Sequence, residues 1–195
     1  MAVLTQAIIR ESLSHELLSG DQHAEAVYEF WVPRSYERAD VAVIGPSLDG
    51  FEIKTARDTL KRLPRQAAAY ARLFDRCYVV LADRHVDKAM EILPAWWGVM
   101  VIRGEIKPGF ERIREADVNH DVDPEILVRL LWRDEVHAAL CAFGAPPEPG
   151  AGRFRMWAQL LDLVEVDVLK TAVREALIRR DAASARISSR RFSTG

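Results

Sequence analysis

The sequence predicts an α/β fold in which helices pack on a mixed β-sheet, followed by a helical C-terminal region. Between residues 3 and 102, short runs rich in β-branched and aromatic residues alternate with stretches of helical periodicity. Hydrophobic residues make up 49% and charged residues 29% of the 195 residues, which is the composition of a globular protein. Beyond residue 116 the apolar residues recur only at helical spacing.

The predicted N-terminal elements follow the order α-β-β-β-α-β-α-β. The first three strands are close in the chain, so we expect an antiparallel meander, with a six-residue turn at Gly45–Gly50 between the second and third strands. Asp58 is expected to cap a first helical turn after the third strand. The expected elements are a helix at 3–18, strands at 26–32, 39–44 and 50–54, a helix at 64–74, a strand at 77–82, a helix at 85–93 and a strand at 96–102.

The C-terminal part divides at a linker rich in Pro and Gly at residues 145–152. Helix is predicted before it, at 124–144, and an amphipathic helical pattern follows it at 154–181. Residues 184–195 are expected to form a basic, mobile tail. We therefore expect one domain at 1–115 and a helical region at 116–195.

Composition excludes several classes of protein. The net charge of −2 gives no general argument for nucleic acid, although 22 of the 27 basic residues are Arg, the better partner for phosphate. The two cysteines have no metal-binding or disulfide spacing, which fits a reducing compartment. The N-terminus lacks the pattern of a signal peptide, and no apolar run reaches the length of a membrane span. We expect a cytoplasmic protein that does not enter a membrane.

Glu52 and Lys54 are unusual residues for a strand bounded by apolar runs. Because side chains alternate across a strand, these two share one face, and Phe51 and Ile53 share the other. Asp40 begins the neighbouring strand, and a hairpin register that places it beside Glu52 is easy to build. Two such carboxylates repel each other unless a cation lies between them. Mg²⁺ typically takes one or two carboxylates, and a Mg²⁺-bound water is activated for attack on phosphate. Taken alone, the Glu-x-Lys pattern also fits a solvent-facing ion pair.

Asp40 followed by Glu52-Ile53-Lys54 resembles the metal motif of the PD-(D/E)XK nuclease superfamily. The core of that superfamily, the restriction-endonuclease-like fold, has the order α-β-β-β-α-β that we predict here. The resemblance implies a Mg²⁺-dependent nuclease in which Mn²⁺ can substitute for Mg²⁺. It implies Asp40, Glu52 and the carbonyl of Ile53 as metal ligands, and Lys54 as the catalytic lysine beside Asp40 and Glu52. Ala39 stands where the motif has a proline, which is its least strict position.

Two further features support this resemblance. Gln66 and Tyr70 lie four residues apart on the next predicted helix, so they share a face. The pattern resembles the RecB-like branch of the superfamily, in which these residues border the active site and contact the substrate strand. The strings RADVAVIG, GFEIK, DTLKRLPRQ and PAWWG, within residues 26–102, are also similar to a small family of uncharacterised bacterial and phage nuclease-like proteins.

Basic residues are concentrated beside the predicted site. They could bind a phosphate backbone, and binding would then weaken steeply with salt; a solvated helix face is the alternative. Besides Lys54, they are Arg57, Lys61, Arg62 and Arg65.

The acid that would complete the metal site is left open by the sequence. Glu29 lies on the first strand, shortly before the Asp40 strand, and is one candidate. Glu11 and Glu16 on the first helix are the alternatives, since many superfamily members use an acid from that helix.

The function expected from the sequence is hydrolysis of phosphodiester bonds in nucleic acid, with DNA as the first substrate to test. The alternatives are a non-catalytic module that binds nucleic acid or protein on the same fold, and a subunit that is inactive alone. The C-terminal helices are a candidate surface for a protein partner or a homodimer. A bacterial or phage setting in DNA repair or phage defence fits these expectations.

Overall fold

A six-stranded mixed β-sheet flanked by helices forms the N-terminal part of the molecule. The computed structural model describes residues 5–20, 23–104 and 107–192, with side chains up to residue 180. It divides into two compact units, Met1–Val122 and Asp123–Gly195, so the boundary lies somewhat later than the predicted 115. No helix in the described ranges is long and apolar enough to cross a membrane.

The strands lie in the sheet in the order in which they occur in the chain. Strands β1, β2 and β3 form the predicted antiparallel meander; β3, β4 and β5 are parallel, and β6 returns antiparallel to β5. The strands are β1 (Glu25–Trp31), β2 (Arg38–Ile44), β3 (Leu48–Lys54), β4 (Arg76–Leu81), β5 (Gly98–Arg103) and β6 (Gly109–Arg114). The N-terminal unit's helices are α1 (Gln6–Leu18), α2 (Leu63–Tyr70) and α3 (Val86–Ile92), the last preceded by a 3₁₀ turn at Asp83–His85.

The alternation of β3 separates two environments. Phe51 and Ile53 pack in the apolar cluster to which α1 contributes Ile9 and Leu13. The opposite face of β3 carries Glu52, whose carboxylate contacts side chains of α2. The polar and apolar residues of this strand therefore lie on different faces, as the sequence predicts.

The hairpin between β2 and β3 is tighter than the predicted six-residue turn. Strand β3 begins at Leu48, because this buried side chain pairs with Ile44 and extends the ladder. Gly50 lies within the strand, where a Cβ atom would come 2.6 Å from the ring of Phe74. The glycine is thus required for packing and does not mark the end of the turn.

One other local prediction is wrong, and one strand was missed. Asp58 caps no helix: its carboxylate accepts hydrogen bonds from the N–H and the hydroxyl of Thr55, which closes a turn instead. Helix α2 starts only at Leu63, after this turn. Strand β6 was not predicted; it is an edge strand with two adjacent exposed charged residues, Glu111 and Arg112, so it lacks the apolar alternation that identifies strands.

The C-terminal unit is helical, as predicted, but its helices are shorter and differently divided. The predicted helix at 124–144 is interrupted because the N–H of Trp132 donates to Glu135 and starts a new helix there. The basic tail is also not as expected, since the last helix continues to Phe192; residues 193–195 lie outside the described residues. The helices are α4 (Pro124–Leu127) with a 3₁₀ turn at Val128–Leu130, α5 (Arg133–Ala142), α6 (Arg153–Leu163) and α7 (Val166–Phe192).

Candidate metal and nucleic-acid site

Strands β2 and β3 separate where Asp40 and Glu52 would be the next pair. The last paired residues are Val41 and Phe51. The N–H of Ile53 then donates to Oδ2 of Asp40, at 2.7 Å, in place of a backbone carbonyl. Besides burial, the charge of Glu52 raises the pKa of Asp40, so the two carboxylates lie close together where the strands separate.

Glu52 is buried and its carboxylate is surrounded by donors. Oε1 accepts from Nζ of Lys54 at 2.6 Å and from Nε2 of Gln66 at 2.5 Å. Oε2 is 2.5 Å from the hydroxyl of Tyr70, which also lies 2.7 Å from the carbonyl of Arg38. Burial, and then the charge of Glu52, raises the pKa of Tyr70 well above its ordinary value, so the phenol stays protonated. The predicted residues of β3 and α2 therefore meet at one carboxylate.

Asp40 has an unusual affinity for a proton. Burial raises its pKa from 3.8 to about 7, and the nearby charge of Glu52 acts in the same direction. The hydrogen bond from Ile53 and the charges of Lys54 and Arg10 oppose this rise in the pKa without cancelling it. The repulsion between the two carboxylates that the sequence suggests is therefore present in the folded protein.

The oxygen atoms at this site match the preference of Mg²⁺. Gln66 is 3% exposed, and its Oε1 atom has no hydrogen-bond partner among the described residues, although its Nε2 atom is bound to Glu52. The unpaired carbonyl oxygen of Gln66 and the carboxylate of Glu52, to which the Gln66 amide is bound, are oxygen atoms of the kind that a hard cation accepts. Within the described part of the chain there is no group of three or more His, Cys, Asp or Glu residues that could hold a metal.

Glu29 does not contact Asp40 directly. Its backbone has a positive φ of 51°, and its side chain, 48% exposed, forms an ion pair with Arg10 at 2.7 Å. The same nitrogen of Arg10 lies 3.9 Å from Asp40, so a guanidinium group lies within reach of both acids. The two alternative acids of α1, Glu11 and Glu16, are exposed on the helix.

The predicted basic residues fall into two groups. Arg57 and Lys61 are exposed in the turns before α2. Arg62 and Arg65 both form ion pairs with Glu37, at 2.9 and 2.5 Å, and the Glu37 side chain is only 1% exposed. The hydrogen bond to Glu37 raises the pKa of Arg62 further above its ordinary value.

A family model described as bacteriophage P4 protein cII matches residues 5–192 of this chain. The protein belongs to the bacteriophage P4 protein cII family. No curated protein matches it.

Two solved structures resemble parts of this family member. A protein of unknown function from Silicibacter pomeroyi, SPO1766, is 20% identical over 78% of this chain and 98% of its own, with a TM-score of 0.46. SfsA from Pyrococcus furiosus, solved in complex with Ca²⁺, is 14% identical over 57% of this chain and 62% of its own, with a TM-score of 0.34. At these identities and TM-scores, neither structure identifies residues of the site.

Three residues at the site were not predicted. Gln6 donates to Oδ1 of Asp40 at 2.7 Å, and Arg10 approaches the same atom; these residues lie four apart on α1, a spacing that could have suggested a shared polar face. Glu37 gave no sequence signal, because its burial depends on arginines 25 and 28 residues away.

Proposed function

We propose that the protein is a metal-dependent nuclease that hydrolyses phosphodiester bonds of nucleic acid, with DNA as the first substrate to test. One observation carries the proposal: Asp40 and Glu52 are buried close enough that the charge of one raises the pKa of the other. A buried pair of like charges costs stability, and a divalent cation between the two would remove that cost.

Asp40 and Glu52 would hold the cation, Mg²⁺ or its substitute Mn²⁺, with the unpaired oxygen of Gln66 beside them. The carbonyl of Ile53 and the carboxylate of Glu29 are further proposed ligands. When bound, such a cation lowers the pKa of water and offsets charge on a phosphate group.

The chain's own residues would position the reacting groups. Lys54 carries an ammonium group next to Glu52, from which it could hold the attacking water or the scissile phosphate. Gln66 and Tyr70 fix the carboxylate of Glu52 by hydrogen bonds, so it cannot turn away when substrate binds. The exposed basic residues would bind the strand's phosphates; these are Arg57, Lys61, Arg62 and Arg65.

The arrangement of the sheet supports a restriction-endonuclease-like core as part of the proposal. An antiparallel β1-β2-β3 meander is followed by α2 and by β4 parallel to β3, in the order α-β-β-β-α-β. The candidate acids lie where the meander opens, at the start of β2 and near the end of β3.

The test is cleavage of plasmid, linear duplex, single-stranded DNA and RNA, each with Mg²⁺, Mn²⁺ or EDTA. Wild type would be compared with Glu52→Gln and Lys54→Ala. The chain offers a matched control: Lys88 and Glu91 form an exposed ion pair of the same 2.6 Å length on α3. We expect cation-dependent cleavage that both site variants lose and that Glu91→Gln and Lys88→Ala keep. Folded wild type that cuts none of these substrates with either cation would refute the proposal for the isolated chain.

A second candidate function is a non-catalytic nucleic-acid-binding module. It is favoured by the hydrogen bonds of the carboxylates: each of the four oxygen atoms of Asp40 and Glu52 already has a donor from the protein. Titration with Mg²⁺ separates the two functions. A module that only binds would lose affinity with salt but would not need the cation. A subunit that acts only within a repair or defence complex would instead gain activity when its partner is added.

A further inference from the structure

Glu37 is a buried acid that fixes two exposed arginines. Its Oε2 atom accepts from Nη2 of Arg62, and its Oε1 atom accepts from Nε of Arg65. The acid is 1% exposed, whereas the side chains of Arg62 and Arg65 are 62% and 65% exposed. Each guanidinium group is therefore held by a hydrogen bond to the buried carboxylate of Glu37, while most of the arginine side chain remains exposed to solvent.

The three residues together carry a net positive charge. Two arginines fixed by a buried acid lose less side-chain entropy when they bind an anion than two free arginines would. Guanidinium groups match the geometry of phosphate oxygens. A purely structural ion pair that ties the loop to α2 would explain the burial of Glu37, but it does not explain the residue next to it.

Tyr36 directly precedes Glu37 and is 97% exposed. Among the described residues it has no hydrogen-bond or ring partner, although its loop is well ordered by hydrogen bonds. The N–H of Val32 donates to the carbonyl of Glu37 at 3.1 Å, and the N–H of Glu37 donates to the hydroxyl of Ser35 at 3.1 Å. A loop closed by hydrogen bonds thus presents an uncovered aromatic ring at the residue next to Glu37, which anchors the two arginines.

We infer that Tyr36, Arg62 and Arg65 form a binding site for an unpaired nucleotide, whose base stacks on Tyr36 and whose phosphates contact the two arginines. Aromatic rings bind the bases of single strands by stacking, whereas bases in a duplex already stack on each other. Glu37 is a positioning residue in this site. The inference rests on the proposed function in taking nucleic acid as the ligand, and it adds the substrate class: single-stranded or locally unpaired.

The location of the site fits that role. Tyr36 precedes Asp40 by four residues, so the two are at most about 14 Å apart along an extended chain. Arg38 lies between them, and its carbonyl is bound by Tyr70, which also contacts Glu52. A strand held at Tyr36 would therefore lie within a short distance of the candidate metal ligands.

The test measures binding in EDTA, where cleavage is blocked. Fluorescence anisotropy would give the affinity of wild type and Tyr36→Ala for a labelled single-stranded DNA, its RNA equivalent and a duplex of the same sequence. We expect Tyr36→Ala to weaken single-strand binding about 5- to 150-fold, as stacking on one base would require, and to leave duplex binding unchanged. Tyr36→Phe keeps the ring and should bind as wild type does.

Two further variants test the phosphate contacts and the specificity of the effect. Arg62→Gln, in which Arg65 still neutralises Glu37, should lower the slope of log affinity against log salt by about 0.7 for a single strand. The controls are Phe154→Ala, an aromatic residue of the C-terminal unit that is 67% exposed, and Lys88→Gln. Both controls should bind as wild type does.

Three results would overturn the inference: no single-strand binding by wild type, an unchanged affinity in Tyr36→Ala, or an equal loss for single strand and duplex. The proposed function can fail separately. Wild type that binds a single strand through Tyr36 but does not cut it with Mg²⁺ would refute the nuclease and retain the binding site. If wild type cuts nucleic acid but Tyr36→Ala binds the single strand as tightly as wild type does, the nuclease is retained and the Tyr36 binding site is refuted.

Discussion

The raised pKa of Asp40 makes the stability of the metal-free protein depend on pH in a predictable direction. An unfolded aspartate releases its proton near pH 3.8, whereas Asp40 in the folded protein keeps it to about pH 7. Between these values the folded state binds more protons than the unfolded state. The stabilisation from this proton is therefore complete below pH 3.8 and is lost as the pH rises through 7.

The size of the effect follows from the pKa shift. A rise from 3.8 to about 7 corresponds to roughly 4 kcal/mol across the whole range, at about 1.36 kcal/mol per pH unit. Between pH 5 and pH 8 the change is about 2.5 kcal/mol. The side chain is largely buried, so solvent does not screen most of this effect.

The assay compares wild type with Asp40→Asn in EDTA at pH 5, 6, 7 and 8. Amide hydrogen exchange in β3 and β4 reports the opening free energy of this unit alone. The variant cannot titrate at this position, so the difference between the two proteins isolates Asp40. The amide of Gln6 can turn over to accept from the new side chain, which preserves that contact. We expect the difference to change by about 2.5 kcal/mol, in the direction of wild type losing stability as pH rises.

Glu52→Gln provides an independent check of the cause. The charge of Glu52 is the second contribution to the raised pKa, after burial. In Glu52→Gln the pKa of Asp40 should fall, so stability should be lost at a lower pH than in wild type. Adding Mg²⁺ to wild type should also lower this midpoint, because the cation competes with the proton. The reasoning is refuted if wild type and Asp40→Asn show parallel pH dependence, or if Glu52→Gln leaves the midpoint where it was.

The remaining predictions concern stability. Tyr70→Phe removes the single hydroxyl hydrogen that Oε2 of Glu52 and the carbonyl of Arg38 share, and should lower the free energy of unfolding by about 1–3 kcal/mol in the same exchange assay. Tyr28→Phe, at an exposed position, should change it little. Equal effects of the two variants would contradict a hydrogen bond from the Tyr70 hydroxyl. Gly98→Ala should lower the free energy of unfolding by about 1–3 kcal/mol, because its Cβ would lie 2.2 Å from the Tyr78 ring. Gly109→Ala on β6, where no atom lies within 4 Å of the added Cβ, is the matched control. If Gly98→Ala is as stable as Gly109→Ala, the Tyr78 ring moves aside.

The parts of the site that could be predicted from sequence are those set by local geometry. The alternation of β3 places Glu52 and Lys54 on one face, and a short hairpin brings Asp40 beside them. The spacing of Gln66 and Tyr70 on one helical face is likewise a local property. In each case the relevant residues are close in the chain, or lie on a single element.

The parts that could not be predicted depend on contacts between distant segments. Gln6 reaches Asp40 only because α1 packs across the sheet; the apolar residues Ile9 and Leu13 indicate that the helix packs, but not which strand residue Gln6 meets. Glu37 is buried by arginines that arrive from α2, whereas most glutamates in such a loop are exposed. The sequence places Gly50 in a turn, but the residue lies within β3, and the ring of Phe74 occupies the space that a Cβ atom would need.

The role of Lys54 needs a test that separates its charge from its contacts. Its ammonium group lowers the pKa of Asp40, so Lys54→Ala would raise that pKa further and leave less of the aspartate ionised at pH 7. The variant should still fold, since Gln66 and Tyr70 continue to hold Glu52. If Lys54 acts only by keeping Asp40 ionised, cleavage by Lys54→Ala should return toward wild type as the pH is raised above the new pKa.

A lysine that holds the attacking water or the scissile phosphate gives a different result. Cleavage by Lys54→Ala would then stay low at every pH, because deprotonation of Asp40 does not replace the missing ammonium group. Lys54 already donates to a carboxylate at 2.6 Å, and a lysine ammonium has further N–H groups for a second partner, so contact with substrate need not break its bond to Glu52. We therefore expect the loss to persist at high pH, and recovery there would assign Lys54 an electrostatic role alone.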